Sequence, residues 1–183
     1  MPSAETPRAL SFKPLSANCS TGAFSCGEHD LDAFLKKKAL REHERLTSAV
    51  TTAHFEGEAD LVGFYSLRIR LEEDRQLGGS WTFPIFTQNR LFPVLNLDWV
   101  AVKKAEQGKG YGTTIMGRVL VVFASAVRAT RIPGLTLVAL NEKRRDFYAD
   151  MGFMPYGPTS VRQKMFLPAE AALKLVPEFA APP

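Results

Sequence analysis

The segment Gln107-Gly108-Lys109-Gly110-Tyr111-Gly112-Thr113 constrains this chain more than any other. It joins the extended run Val94-Leu95-Asn96-Leu97-Asp98-Trp99-Val100-Ala101-Val102 to a long amphipathic stretch, Thr113 to Thr130. The run is apolar on both faces near its end, as suits a central strand. In the stretch, Ile115, Met116, Val119, Leu120, Val122, Phe123, Ala126 and Val127 recur at helical spacing. A strand feeding a long helix through a glycine turn is an α/β unit.

The rest of the chain continues that alternation. Ala9 to Leu15 is expected as a first strand. Asp30 is expected to cap a helix with Leu31, Phe34, Leu35 and Ala39 on one stripe. Ala49 to Phe55 and Leu61 to Arg70 read as strands joined by the turn Gly57-Glu58-Ala59-Asp60. In the second strand Leu61, Gly63, Tyr65, Leu67 and Ile69 share a face. Leu135 to Leu140 reads as a short buried strand, and Asn141 opens a helix over 142–150 that Gly152 closes. Phe153–Tyr156 and Val161–Leu167 read as strands, and Pro168–Val176 as a last helix. Residues 72–92 hold Gly78-Gly79, Pro84 and little periodicity, a pattern of functional or mobile segments.

A chain of 183 residues fits one domain, with residues 1–7 and 179–183 expected to fray. Its 45% apolar content, with thirteen Phe, excludes disorder as a whole. No uninterrupted run of eighteen apolar residues occurs, so no membrane span is expected. The start lacks a basic patch followed by an apolar stretch, which predicts a cytoplasmic protein. A net charge of +4 permits an anionic partner without demanding one. Cys26, His29 and His43 have a loosely ligand-like spacing, but a loop thiol with two surface imidazoles is the simpler reading, and no metal is expected.

The glycine turn leaves backbone N–H groups uncovered at a helix N-terminus, where the macrodipole favours negative charge. Its natural guest is a phosphate or pyrophosphate, with Lys103, Lys104 and Lys109 nearby. The P-loop pattern is absent, and Gly108, Gly110 and Gly112 are spaced two and two rather than as a dinucleotide fingerprint. A plain glycine-rich βα turn is the alternative.

Gln107, Gly110 and Gly112 also fit Gln/Arg-x-x-Gly-x-Gly/Ala, which resembles motif A of the GNAT acetyltransferase superfamily. Asn141-Glu142-Lys143-Arg144-Arg145-Asp146-Phe147-Tyr148-Ala149-Asp150-Met151-Gly152-Phe153 is similar to that family's N-x-x-A-x-x-F-Y-x-x-x-G-F, with Arg144 in place of the usual Ala. The clear resemblance covers residues 94–156, about a third of the chain. It implies an α/β GNAT fold with a mixed central sheet of six to seven strands, splayed after the central one. It implies acetyl-CoA as donor, its pyrophosphate held by Gln107, Gly108, Lys109, Gly110, Tyr111, Gly112 and Thr113. Val100 and Val102 would pair with the pantetheine arm, and a backbone N–H near Val100 would meet the oxyanion. Tyr148 would protonate the departing thiolate, though it also reads as a packed aromatic beside Phe147. Asn141 reads both as a helix cap and as a pantetheine contact.

No general base is evident; Asp98 and Glu106 are the nearest acids in sequence. An aminoacyl ester needs none, because its α-amine lies below the ordinary 7.7–8.0 range (roughly) and is largely neutral at pH 7. Phe24-Ser25-Cys26-Gly27-Glu28-His29-Asp30-Leu31-Asp32-Ala33-Phe34-Leu35 resembles the opening F-x-C-G-x-x-x-L-D-x-F-L of a GNAT subgroup. That subgroup includes toxins that acetylate aminoacyl-tRNA. Val62-Gly63-Phe64-Tyr65-Ser66-Leu67 and Phe92-Pro93-Val94 resemble two further segments of those toxins. Asp98-Trp99-Val100 stands where they carry Arg-Leu, so Asp98 and Trp99 are expected to shape the acceptor pocket, with Arg144 and Arg145 beside it. Lys36, Lys37, Lys38, Arg41 and Arg45 read as a solvated helix face or as a phosphate-binding one. The resemblance implies a toxin acting on aminoacyl-tRNA, a ribbon-helix-helix antitoxin as partner, and a homodimer. The alternatives are a GNAT enzyme acting on a small-molecule or protein amine, and a non-catalytic CoA-binding module.

Overall fold

The computed structural model describes residues 8–73 and 91–176. In chain order it holds β1 (Leu10–Pro14), α1 (His29–Lys37), α2 (Ala39–Glu44), β2 (Ala49–Phe55) and β3 (Leu61–Glu73). There follow β4 (Leu91–Val102), α3 (Tyr111–Thr130), β5 (Gly134–Ala139), α4 (Glu142–Ala149), β6 (Met154–Tyr156), β7 (Gln163–Pro168) and α5 (Ala169–Leu175). The strands form a seven-stranded mixed sheet in the order β1-β2-β3-β4-β5-β7-β6. β4 and β5 run parallel, whereas β5/β7 and β6/β7 are antiparallel, as are β1/β2 and β2/β3. The α/β order read from the sequence, with a mixed sheet at the upper strand number, is the observed one.

The described residues pack as two compact units, one of residues 8–67 and 99–119, the other of 68–73, 91–98 and 120–176. In the first, Phe24, Phe34 and Phe64 form the aromatic centre, with ring centroids 5.6 Å (Phe24–Phe64) and 6.2 Å (Phe34–Phe64) apart. The expected stripe Leu31, Phe34, Leu35 and Ala39 is buried, but the helix kinks at Lys38 into α1 and α2. The N-cap is Glu28 with no capping side chain, and Asp30 lies within the first turn. Asp32 instead accepts from the Cys26 amide (2.8 Å) and the Ser25 hydroxyl (2.7 Å), pinning the loop before the helix. Gly63 is required by close approach: a Cβ there would lie 2.5 Å from the Ala101 carbonyl oxygen and 2.6 Å from Ile115 Cδ1.

In the second unit, Phe92, Val94, Tyr156 and Phe166 make one buried cluster, and Leu135, Met165 and Leu167 are fully enclosed. β5 is central in the sheet, which explains its almost wholly buried sequence. Ile69 does not share the buried face of β3; it is 61% exposed, beyond the buried span ending at Leu67. Glu73 and Leu91 extend the flanking strands into the segment expected to be irregular, and its residues 74–90 lie outside the described ones. The end segments 1–7 and 177–183 lie outside them as well.

Among the described residues one helix, α3, is long and apolar enough to cross a membrane, with a mean hydropathy of 1.3. It is interrupted by Arg118 and Arg128, and it buries Ile115, Met116 and Val119, then Leu120, Phe123, Ala124 and Val127. That periodic burial is the pattern of a core helix.

Candidate active site

The glycine turn lies in the first unit. Gly108 and Gly110 sit at φ +79° and +88°, in the left-handed region that glycine enters without penalty. Gly112, read from the sequence as a third turn glycine, is not among the positive-φ residues, because α3 begins two residues earlier, at Tyr111. The early start brings the N–H groups of Tyr111, Gly112 and Thr113 to the helix terminus, without intrahelical acceptors. Thr114 N–H is already returned to the Gly110 carbonyl at 3.2 Å.

The chain around the turn is fastened. Gln107 donates from Nε2 to the Cys26 carbonyl (2.8 Å) and the Val102 carbonyl (3.0 Å). Lys103 N–H reaches the Val62 carbonyl (2.7 Å), and Lys104 N–H the Ser25 carbonyl (2.8 Å). Gln107 therefore acts on the turn's shape, and its amide hydrogens are already engaged. Tyr111 also departs from expectation. Its side chain is buried with Phe55 and Val62, and its hydroxyl accepts from the Arg8 amide at 3.2 Å, so only its backbone is left for a ligand. Lys109 pairs with Glu106 at 3.0 Å and remains more than half exposed. Trp99 stacks on Phe34 with centroids 5.1 Å apart, which gives its indole a packing role. Val100 and Val102, at the end of β4, are partly exposed.

The remaining expected residues lie in the second unit. The register Leu97↔Leu137 places Asp98 at the end of the parallel pair where β5 hands over to Asn141. Asn141 caps α4, its Oδ1 accepting from Arg144 N–H at 3.0 Å. The capping reading is thereby realised. Tyr148 is 5% exposed, its ring edge-on to Phe147 (5.2 Å) and Phe153 (5.9 Å). Burial pushes its phenol above the ordinary tyrosine value, while the Arg144 cation pulls it back. Arg145 lies 3.7 Å from both Glu142 and Asp146. It lines an open cleft of about 590 Å³ with Asn141, Lys143, Thr159, Ser160 and Val161.

Asp98 sits in a polar network. Its Oδ1 accepts from Arg70 Nη2 (2.6 Å) and Asn96 Nδ2 (2.6 Å), and its Oδ2 faces Arg68. Asn96 Oδ1 accepts in turn from Thr136 Oγ1 at 2.8 Å. Burial, and then the Glu72 carboxylate, push the Tyr156 phenol above the ordinary tyrosine value, and Glu72 pairs with Lys164 at 3.1 Å. Arg68, Arg70, Asn96 and Thr136 are not candidates on motif grounds. The sequence signal for them is the alternation Arg68-x-Arg70-x-Glu72, with Asn96 and Thr136 interrupting otherwise apolar strands. Both acids nearest the turn thus have cationic partners, Asp98 in Arg68 and Arg70 and Glu106 in Lys109.

Cys26, His29 and His43 do not meet. The Cys26 thiol is buried and pushed up to about 11 by that burial. His29 is 92% exposed beside Asp30, and His43 Nδ1 accepts from Val50 N–H at 3.0 Å. Among the described residues no group of three His, Cys, Asp or Glu is placed to hold a metal.

Comparison with known proteins points the same way as the residues. The model of the acetyltransferase (GNAT) family matches residues 17–153. A tRNA-acetylating toxin of Mycobacterium tuberculosis is 27% identical over 153 residues, covering 81% of this chain and 86% of the toxin. The structure of AtaT complexed with acetyl-methionyl-tRNAfMet is 26% identical, with a TM-score of 0.79 over 92% of this chain and 99% of that one. A tyrosine-to-phenylalanine mutant of the toxin AtaT, bound to the C-terminus of the antitoxin AtaR and acetyl-CoA, is 25% identical. Its TM-score is 0.74, over 91% of this chain and 97% of that one.

Proposed function

The chain belongs to the acetyltransferase (GNAT) family, and from that premise we propose that it transfers acetyl from acetyl-CoA to the α-amine of an aminoacyl-tRNA. The observation that carries the acceptor is the full-length similarity to AtaT complexed with acetyl-methionyl-tRNAfMet. Similarity to the M. tuberculosis tRNA-acetylating toxin over most of both chains supports it independently. The product carries an amide where the ribosome requires a free amine, so translation stops. On this reading the chain is the toxin of a toxin–antitoxin pair, cytoplasmic and dimeric, with a ribbon-helix-helix antitoxin as partner.

The residues divide the work. The free N–H groups opening α3 and the glycine backbone at 108 and 110 suit an anion at low cost in reorganisation. They take the pyrophosphate of acetyl-CoA, while Val100 and Val102 face its pantetheine. The neutral α-amine attacks the thioester carbonyl carbon, the C–S bond breaks, and the sulfur leaves with the bonding pair. Tyr148 gives its proton to that sulfur and regains one from solvent, which also takes up the proton released by the amine. Holding donor and acceptor together supplies most of the acceleration. The cleft at the start of α4, with Lys143 and Arg145, receives phosphates of the acceptor stem.

Induced expression tests this. Growth arrest that disappears in Tyr148→Phe supports a toxin. Unimpeded growth at high expression of folded protein contradicts it.

A further inference from the structure

β3 continues past the strand that pairs with it. The β2/β3 register ends at Ala49↔Leu67, whereas β3 runs on to Glu73. Among the described residues no strand pairs with β3 on that side beyond Leu67. The edge over 68–73 therefore keeps outward-pointing N–H and C=O groups, the template on which another strand adds. Its side chains alternate between the two faces. Arg68, Arg70 and Glu72 share the face of the polar network, where Arg70 holds Asp98 at 2.6 Å and Lys164 holds Glu72 at 3.1 Å. Ile69 and Leu71 share the other face and are 61% and 62% exposed. Two large apolar side chains on one face of an open edge, with no proline to blunt it, leave that edge unprotected.

We propose that the occupant of this edge is a second copy of the chain, its β3 laid antiparallel to the first about a two-fold axis at Leu71. An isologous contact needs a segment that complements itself when reversed. Ile69-Arg70-Leu71-Glu72-Glu73 does so. In this register Leu71 stands opposite its own counterpart, and Arg70 stands opposite Glu72 at two symmetric places. Ile69 of each copy lies diagonal to Leu71 of the other. Apolar pairs and opposite charges directly across a strand pair stabilise it. Neither charge is stranded by the pairing, since each keeps its partner inside its own copy (Asp98 for Arg70, Lys164 for Glu72). The neighbouring register, centred on Arg70, sets two arginines opposite each other. It also sets Glu73 opposite Leu67, the place that Ala49 of β2 already fills. The proposal rests on the dimeric reading above and supplies its surface.

The test uses the full chain. Sedimentation over a concentration series is expected to show a dimer. Leu71→Lys sets two like charges opposite each other and is expected to weaken that dimer about tenfold or more, with the circular dichroism spectrum unchanged. Cysteine variants then read the register, in a background carrying Cys19→Ala and Cys26→Ala. Residues directly opposed in an antiparallel pair have Cα atoms about 4.5–5.5 Å apart, within disulfide reach. Leu71→Cys is expected to form a disulfide-linked dimer under a mild copper oxidant. Ile69→Cys, at equal exposure, is expected to form none, because it lies two positions from the axis. A dimer that folded Leu71→Lys leaves intact overturns the proposal alone, as does cross-linking at Ile69→Cys equal to that at Leu71→Cys; either result assigns the dimer to another surface. A monomer throughout the series overturns the dimeric reading and this proposal with it, and leaves the edge to a strand from a different chain.

Discussion

Replacing Asp98 by asparagine separates the two roles that a carboxylate beside an acceptor could have. In the structure the Asp98 side chain is 5% exposed, and it faces Arg68 (28% exposed) and Arg70 (50% exposed). Asparagine has nearly the same shape and keeps one acceptor oxygen, so packing is preserved and the charge is removed. The Arg70 pair is half in solvent, and its loss costs about 1 kcal/mol at most. Arg68 is better enclosed, and stranding it costs part of the ~3–5 kcal/mol of a broken buried pair, reduced by its remaining contact with water. The hydrogen bond from Asn96 weakens by about 0.5–1 kcal/mol on losing a charged acceptor. Together the variant is expected to be about 2–3 kcal/mol less stable in urea unfolding, with turnover per folded molecule within about threefold of wild type. A general base in this position would behave in the opposite way. Its removal lowers turnover by about 10²–10⁴-fold with little effect on stability. Full stability with turnover reduced a hundredfold would refute the assignment of Asp98 to structure. A cycle with Arg68→Met sharpens the test, since a coupling of about 1 kcal/mol or more is expected for groups in contact.

Two further outcomes follow from other parts of the molecule. Gly110→Glu is expected to abolish acetyl-CoA binding by calorimetry, because φ +88° strains any side chain and the new carboxylate faces a pyrophosphate; unchanged affinity would move the phosphate site elsewhere. The buried Cys26 thiol is expected to resist iodoacetamide at neutral pH and to react on unfolding. Its folded value is about 11 against an ordinary 9.0, so the protein is expected to lose stability as pH rises through that window, and Cys26→Ala to flatten the loss.

The parts legible in the sequence are those governed by local rules. The periodicity of Ile115 to Val127 gave α3 within two residues at its start, and Asn141 with Gly152 framed α4 because capping and left-handed closure depend on single residues. The glycine turn was visible for the same reason, since few residues other than glycine adopt φ near +80°. Long-range contacts were not visible. Nothing local shows that Tyr111 points into a cluster with Phe55 and Val62, or that Gln107 reaches back to the Cys26 carbonyl, 81 positions away. The kink at Lys38 has no glycine or proline to announce it. Asp98 looked available because its partners Arg68 and Arg70 come from β3, which ends 18 residues before β4 begins.

The most direct measurement of the central claim is radiolabel transfer from acetyl-CoA to purified aminoacyl-tRNA, with wild type and Tyr148→Phe in parallel. The account predicts label on the α-amine of the aminoacyl group with wild type, none on uncharged tRNA, and a loss of about 10²-fold or more in the variant at unchanged acetyl-CoA affinity. Release of CoA without label on any charged tRNA, or equal transfer by the two proteins, would contradict it.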